Sequence, residues 1–273
     1  MEFYGLIGEK LGHSYSPQIQ QRLLELLGVQ GGYKLFEIPK EKIGSAAAAI
    51  RLLGIKGVNV TIPYKQELLR QVDALSPEAE AIGAVNTLLL REDGTLYGAN
   101  TDYFGFGRMV VSAGITIRDK VCVVLGAGGA SKAVLAYLKD AGARMIYLIS
   151  RDPARPISLP NGVCVTRVGY SQLDALKGDM LINTTPVGMY PNTGISPVAP
   201  EVIAQFDALV DLIYNPTETE FLRLGRGMGK TTCDGLYMLV AQAARSQEIW
   251  QGRPVEEAVI RQIYGEMKEE LAR

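Results

Sequence analysis

The chain reads as an α/β protein of two domains, a mixed α/β unit followed by a doubly wound nucleotide-binding unit. Three observations predict this. From Lys120 onward, apolar runs of strand length alternate with helical patterns, the order of a parallel sheet wrapped by helices. The first of these runs, Val121-Cys122-Val123-Val124-Leu125, is unbroken and feeds directly into Gly126-Ala127-Gly128-Gly129. Upstream the pattern differs, because Asp93-Gly94 joins two short apolar segments as a hairpin turn does. The expected boundaries are 1–101 for the first domain and 102–235 for the second. The two helices after Gly235 have no strand to cross back to, so 236–273 is expected to return and complete the first domain.

Taken in order, Phe3–Gly8 reads as a strand that runs into a polar loop. Ser16-Pro17 starts a helix, with a hydroxyl to cap it and proline in its first turn. Ile19, Leu23, Leu26 and Leu27 share one face of that helix, and Gly28 ends it. Tyr33–Ile38 is a second strand and Lys42–Leu53 a second helix. In Val58–Ile62 the residues Val58, Val60 and Ile62 alternate with Asn59 and Thr61, giving a strand with one apolar and one polar face. Pro63 cannot continue the ladder, which leaves Lys65 just past the strand end. A short helix is expected near Lys65–Gln71 and another from Ser76-Pro77. The hairpin pairs Ala84–Arg91 with Thr95–Ala99, and Asp102 opens a helix through Ala113. The second unit then places a helix at Ala130–Asp140. Its later strands fall at Met145–Ile149, Val163–Val168, Met180–Asn183, Ala208–Ile213 and Lys230–Cys233. Leu236–Trp250 and Val255–Leu271 are the closing helices.

Composition narrows the function. A net charge of −1 offers no broad basic surface for nucleic acid. No apolar run reaches the length of a membrane span, and Met1-Glu2-Phe3-Tyr4 lacks the pattern of a signal peptide. Cys122, Cys164 and Cys233 are odd in number and lie in apolar segments, so they read as reduced, buried thiols of a cytoplasmic protein. The single histidine, His13, excludes metal sites built on paired histidines, and no C-x-x-C is present, so no metal is expected. No G-x-S-x-G elbow accompanies His13, which reads as structural. Lysine and carboxylate are left to handle protons. The small-molecule substrate is the only partner the chain specifies; a homodimer is left open.

The polar theme of Asn59 and Thr61 recurs at Asn86-Thr87 and Asn100-Thr101-Asp102. With Lys65 beside it, this face suits a polyhydroxylated ligand better than a core. Gly126 to Ala130 stands between a buried strand and a helix, where a dinucleotide pyrophosphate meets glycines and a helix N-terminus. Ser131 occupies the third fingerprint position in place of glycine. At the end of the next strand comes Ser150-Arg151-Asp152. Arginine there suits the extra phosphate of NADP and a carboxylate the ribose of NAD. Arg151 comes first, so NADP leads and NAD stays open.

Together these motifs resemble the shikimate dehydrogenase family. They are Ser14-Tyr15-Ser16-Pro17, Asn59 to Lys65, Gly83 to Thr87, Gly98 to Asp102, Gly126 to Ala130, Asp211-Leu212-Ile213-Tyr214 and Asp234 to Gln242, in that order along the whole chain. The resemblance implies a Rossmann-type nucleotide domain beside a substrate domain, and reversible, NADPH-dependent reduction of 3-dehydroshikimate to shikimate. It makes Lys65 and Asp102 the catalytic pair. Ser14, Ser16, Asn59, Thr61, Asn86, Tyr214 and Gln242 would hold the substrate. Gly126, Ala127, Gly128, Gly129, Ala130, Ser150 and Arg151 would hold the cofactor, with Leu212 and Gly235 near the nicotinamide. Closure of a cleft between the domains would exclude water. The family more often shows Asn-Arg-Thr where this chain has Ser150-Arg151-Asp152, so cofactor preference is the least settled point. An NAD-dependent quinate/shikimate dehydrogenase and a catalytically silent nucleotide-binding regulator are the competing readings.

Overall fold

The computed structural model describes residues 1–12 and 14–271; His13 lies outside the described residues. The chain divides into two compact units, Met1–Asp102 with Gln242–Met267, and Tyr103–Ala241 with the chain from Lys268.

The first unit runs β1 (Glu2–Gly8), α1 (Ser16–Leu26), β2 (Gly31–Glu37), α2 (Ala46–Leu53), β3 (Gly57–Val60), β4 (Ala74–Leu75), α3 (Pro77–Ile82), β5 (Thr87–Leu90) and β6 (Leu96–Ala99). Its six-stranded sheet has the order β2-β1-β3-β5-β6-β4. β2, β1 and β3 are parallel, and β5 runs antiparallel between β3 and β6. Val58 and Val60 face a core shared with Ile7, Ile43, Ile50, Tyr64 and Leu68.

Three local expectations need correction here. Ile62 does not join Val58 and Val60 inside; it is 77% exposed. The chain leaves the ladder at Val60 and turns, with the Tyr64 N–H donating to the Thr61 carbonyl, so that buried Tyr64 takes the core place instead. Helix α2 begins at Ala46, because Lys40–Ser45, with Gly44 inside it, forms a tighter 3₁₀ stretch. The expected helix near Lys65–Gln71 is a single 3₁₀ turn over Leu68–Gln71.

The second unit contains most of α4 (Thr101–Ser112), then β7 (Val121–Leu125), α5 (Gly129–Asp140), β8 (Met145–Ser150), β9 (Thr166–Gly169), β10 (Met180–Asn183), α6 (Pro200–Ile203), β11 (Ala208–Asp211), α7 (Glu220–Gly227) and β12 (Thr231–Cys233). The sheet order is β12-β11-β10-β7-β8-β9, every neighbour parallel. Numbered from β7 as first, this is 3-2-1-4-5-6, the order of a Rossmann fold. Strand order reverses between β7 and β10, and the crevice outside their carboxyl ends is where such sheets bind ligands. Cys122 and Cys233 are buried as read, but Cys164 is exposed, since it precedes β9 in a loop. The chain closes with α8 (Gly235–Gln251) and α9 (Glu257–Leu271). No helix among the described residues is long and apolar enough to cross a membrane.

Candidate active site

In the first unit the turn after Val60 anchors itself through the Tyr64 ring, whose hydroxyl donates to the Ile38 carbonyl. The next residue, Lys65, is therefore held on a fixed base, and its carbonyl accepts from the Val85 N–H at 2.9 Å. Lys65 Nζ donates to Asp102 Oδ2 at 2.6 Å, with the two side chains 28% and 14% exposed. Asp102 sits in the first turn of α4, where the helix dipole favours a carboxylate. Its neighbour Thr101 fixes that turn by donating its N–H to Asn86 Oδ1 at 2.7 Å. The pair is thus built from two strand ends joined through the Val85-Asn86 segment.

Around the pair lies a network of neutral polar groups. Asn86 Nδ2 donates to Gln242 Oε1 at 3.3 Å. Asn59 Oδ1 accepts from the Tyr33 hydroxyl at 2.9 Å and from Gln20 Nε2 at 3.3 Å. Asn59 Nδ2 donates to Ser246 Oγ at 2.8 Å and to Thr87 Oγ1 at 3.1 Å. Burial pushes the Tyr33 phenol far above its ordinary value, so it stays a neutral donor; a hydrogen bond with Ser16 works the other way. Ser16 is thereby linked through Tyr33 to Asn59.

The cap expected of Ser16 is not made. Tyr15 occupies the N-cap of α1 without a side-chain hydrogen bond, and it is Ser14 Oγ that accepts the Ser16 N–H, at 3.2 Å. The hydroxyl of Ser16 is already one residue inside the helix, which is why it cannot reach forward to the next turn's amides. By contrast, α3 and α7 are capped by Ser76 and Thr219. The Ser16 N–H is thus met by Ser14 and the Ile19 N–H by the Tyr15 carbonyl at 3.1 Å, while Pro17 has no N–H to give.

In the second unit a cavity of about 1120 Å³ opens at the switch point, lined by Gly126–Gly128, Lys132, Ser150–Asp152, Arg155, Tyr170 and Thr184–Val187, among others. At Gly126 its floor accepts nothing larger than glycine. Gly126 has φ +98, and a Cβ there would lie 2.8 Å from Thr185 Cγ2 and 3.0 Å from Thr184 Oγ1. At Gly128 and Gly129 a Cβ would meet open space, the volume a ligand would fill. Helix α5 starts there with Gly128 as its N-cap and no side-chain hydrogen bond, so its amides face the cavity unclaimed. Ser131 turns its hydroxyl back to the Gly128 carbonyl at 2.7 Å and so tightens the turn in place of the third glycine. These features fit a dinucleotide pyrophosphate.

Arg151 and Asp152 both border the cavity. Asp152 Oδ1 accepts from the N–H groups of Ala154 and Arg155 at 3.1 and 3.2 Å, closing its own turn. Arg167 on β9 braces that turn by donating to the Arg155 carbonyl at 3.0 Å. Arg151, Arg155 and Lys132 all border the cavity. Leu212 and Gly235 meet directly, since a Cβ on Gly235 would stand 2.1 Å from the Leu212 carbonyl oxygen.

The structure therefore gathers Lys65, Asp102, Asn59, Asn86 and Gln242 into one connected cluster, with Ser14 and Ser16 tied to it through Tyr33. Thr61 lies in the turn just beyond β3. Tyr214 belongs to the second unit, in the loop after β11. Sequence reading marked Thr87 in the recurring polar theme without giving it a role, and missed Gln20, Tyr33 and Ser246, which join the polar cluster, and Arg155 and Lys132, which border the cavity. Arg155 carried a signal, a second arginine four residues after Arg151; Gln20 and Ser246 carried none, because their contacts lie far away in the chain.

A family model described as the shikimate dehydrogenase substrate binding domain matches residues 6–88. A shikimate dehydrogenase (NADP(+)) of Clostridium beijerinckii is 49% identical over 271 residues, covering 99% of this chain and 100% of that one. The crystal structure of shikimate dehydrogenase 1 from Peptoclostridium difficile superposes with a TM-score of 0.89 at 54% identity, covering 99% of each chain. That of the Thermus thermophilus shikimate 5-dehydrogenase in complex with NADP(H) and shikimate gives 0.86 at 33% identity, covering 97% of this chain and 99% of that one.

Proposed function

The chain belongs to the shikimate dehydrogenase family, and from that premise we propose that it reduces 3-dehydroshikimate reversibly to shikimate with NADPH, Lys65 and Asp102 handling the proton. The observation that carries this reading is the 2.6 Å Lys65–Asp102 ion pair set among neutral amides and hydroxyls. NADPH supplies the hydride. As the ketone carbon accepts it, charge develops on the oxygen, and the Lys65 ammonium delivers a proton there or holds the charge. Asp102 keeps that ammonium aimed through the 2.6 Å bond. In the reverse direction Lys65 takes the hydroxyl proton back.

The first unit is the substrate domain in this reading. Ser14 and Ser16 hold the substrate carboxylate at the start of α1, where the helix dipole adds to two hydroxyl donors. Asn86 and Gln242 face the ring hydroxyls, with Thr61 beside them. Asn59 has its acceptor and donors engaged by Tyr33, Gln20, Ser246 and Thr87, so its part is to hold those neighbours in register as much as to touch substrate. Tyr214 would contribute from the second unit. There, Gly126 to Ala130 receive the pyrophosphate and Arg151 the 2′-phosphate, with Arg155 and Lys132 adding charge. Ser150 borders the same end, and Leu212 and Gly235 shape the nicotinamide end. With Asp152 Oδ1 held in its own turn, three cations, Arg151, Arg155 and Lys132, border this cavity beside that one carboxylate, which supports NADP over NAD. Cytoplasmic residence suits the unpaired thiols.

The test is a grid of initial rates, NADPH and NADH against 3-dehydroshikimate and 3-dehydroquinate. The expected result is fastest turnover with NADPH and 3-dehydroshikimate. Equal or better rates with NADH would reverse the cofactor assignment, and turnover in none of the four cells would remove the enzymatic reading.

A further inference from the structure

Asn183 and Asp211 end neighbouring central strands and stand opposite each other in the β10–β11 register. Neither exposes any surface. Asn183 Nδ2 donates to Asp211 Oδ1 at 3.0 Å. On its other side, Asn183 Oδ1 accepts from the N–H and the hydroxyl of Thr185 at 3.0 and 2.7 Å. Asp211 Oδ1 also accepts from the Ile213 N–H at 3.1 Å, and Oδ2 from the Thr219 hydroxyl at 2.7 Å. All of these partners are neutral. A buried carboxyl held only by neutral donors is costly to keep, and nothing in the proton-handling scheme uses it.

What it reaches is the cavity wall. Thr184, Thr185, Pro186 and Val187 line the cavity. Thr184 donates its hydroxyl to the Leu125 carbonyl at 2.7 Å, and Thr185 Cγ2 occupies the space beside Gly126. The wall is thus pinned at two places, to the glycine turn by Thr184 and to Asp211 by way of Asn183. The remaining two bonds of Asp211 run the other way, to the loop after β11 and to the cap of α7.

We propose that Asp211 is a positioning residue of the cofactor crevice: acting through Asn183, it fixes Thr185 and the wall 184–187 against the Gly126 turn. Cofactor affinity then depends on a carboxyl with no exposed surface. The inference rests on the reading of this unit as the NADP-binding one.

The experiment measures dissociation constants for NADPH and for shikimate by fluorescence titration of the full chain, with a thermal melt of each variant. Asp211→Ala should weaken NADPH about tenfold while shikimate stays within about twofold, since the polar cluster read as holding shikimate lies in the first unit. Asp211→Asn keeps an oxygen for Asn183 and Ile213, so it should restore NADPH affinity to within about threefold. Should the alanine variant fail to fold, Thr185→Val and Thr219→Val decide. The first cuts the link to the wall and should weaken NADPH severalfold. The second cuts the link to α7 and should lower the melting temperature with NADPH affinity held within about twofold. A folded Asp211→Ala that binds NADPH like the parent, or equal NADPH losses in Thr185→Val and Thr219→Val, would overturn the proposal. If the parent itself did not bind NADPH, the reading of the unit would fall instead.

Discussion

Replacing Asp211 by Asn should flatten the dependence of stability on pH between about 5 and 8. Burial raises the Asp211 carboxyl most, with the charge of Asp234 adding to it, and the bonds from Thr219, Ile213 and Asn183 only partly offset this; the result is a pKa pushed up from 3.8 to about 7. The folded state therefore binds this proton more tightly than the unfolded chain does. Its contribution to stability is fully present below the unfolded value and is lost as pH rises through about 7. At about 1.4 kcal/mol per pH unit, the whole span is on the order of 4 kcal/mol. Between pH 5 and 8 roughly 2–3 kcal/mol of it is lost, which for a chain of this size is about 5–10 °C in melting temperature. The amide of Asn is neutral throughout, can still accept from Asn183 and Ile213, and can donate to Thr219, so the variant lacks this component. Melting temperatures of parent and variant, taken across pH 5 to 8 at matched ionic strength, give the difference in slope. Parallel curves would refute the reasoning. A parent that gained stability over the variant as pH rose would show that the hydrogen bonds outweigh burial and that the carboxylate is the favoured form.

Lys65→Ala should lower kcat by about a hundredfold or more, with a smaller change in KM, and Asp102→Asn should also slow the reaction. The double variant should lose less than the product of the two; a strictly multiplicative loss in steady-state rates would mean that the pair does not act as a unit. Ser14→Ala should raise the KM for shikimate, a hydroxyl-to-carboxylate bond being worth about 1.5–3 kcal/mol, and cost some stability through the lost contact to the Ser16 amide. Ser16→Ala should weaken shikimate with a small change in melting temperature, because its hydroxyl caps nothing; unchanged binding in both variants would rule the clamp out. Arg151→Ala should reduce the ratio of kcat/KM for NADPH over NADH by at least tenfold, and an unchanged ratio would move the discrimination to Arg155 and Lys132.

Periodic and motif-bearing stretches were legible from composition and spacing alone. The unbroken run Val121–Leu125 became a central strand, and the glycines after it became the floor of a cavity, because both features are local. The hairpin at Asp93-Gly94 formed for the same reason. The alternation that placed Ile62 inside failed because a proline one residue later ends the ladder before the pattern does. The strand Ala74–Leu75 and the helices Pro200–Ile203 and Glu220–Gly227 were missed; the first two are too short to show a period. Asp152 could not be assigned from its neighbours, since whether a carboxylate faces a ribose or its own turn is decided by backbone geometry. Ser246 and Gln247 escaped notice altogether. Their partners, Asn59 and Gln20, lie nearly two hundred residues or more away in the chain, and no local signal marks such a contact.

The division of the chain also bears on how it is made. Every residue of Tyr103–Ala241 emerges from the ribosome before Gln242–Met267, which the first unit needs. The second unit can complete its sheet while synthesis continues, lacking only the stretch from Lys268, whereas Asn59 and Thr87 must wait for Ser246 to satisfy them. During that interval the half-built sheet of the first unit lacks the cover of Trp250, whose indole donates to the Leu88 carbonyl and whose ring stacks on Tyr4 at 4.8 Å. The nascent first unit is therefore the part of the molecule for which a chaperone's hold matters, and an arrested chain would carry a finished nucleotide fold joined to an unfinished chemical one.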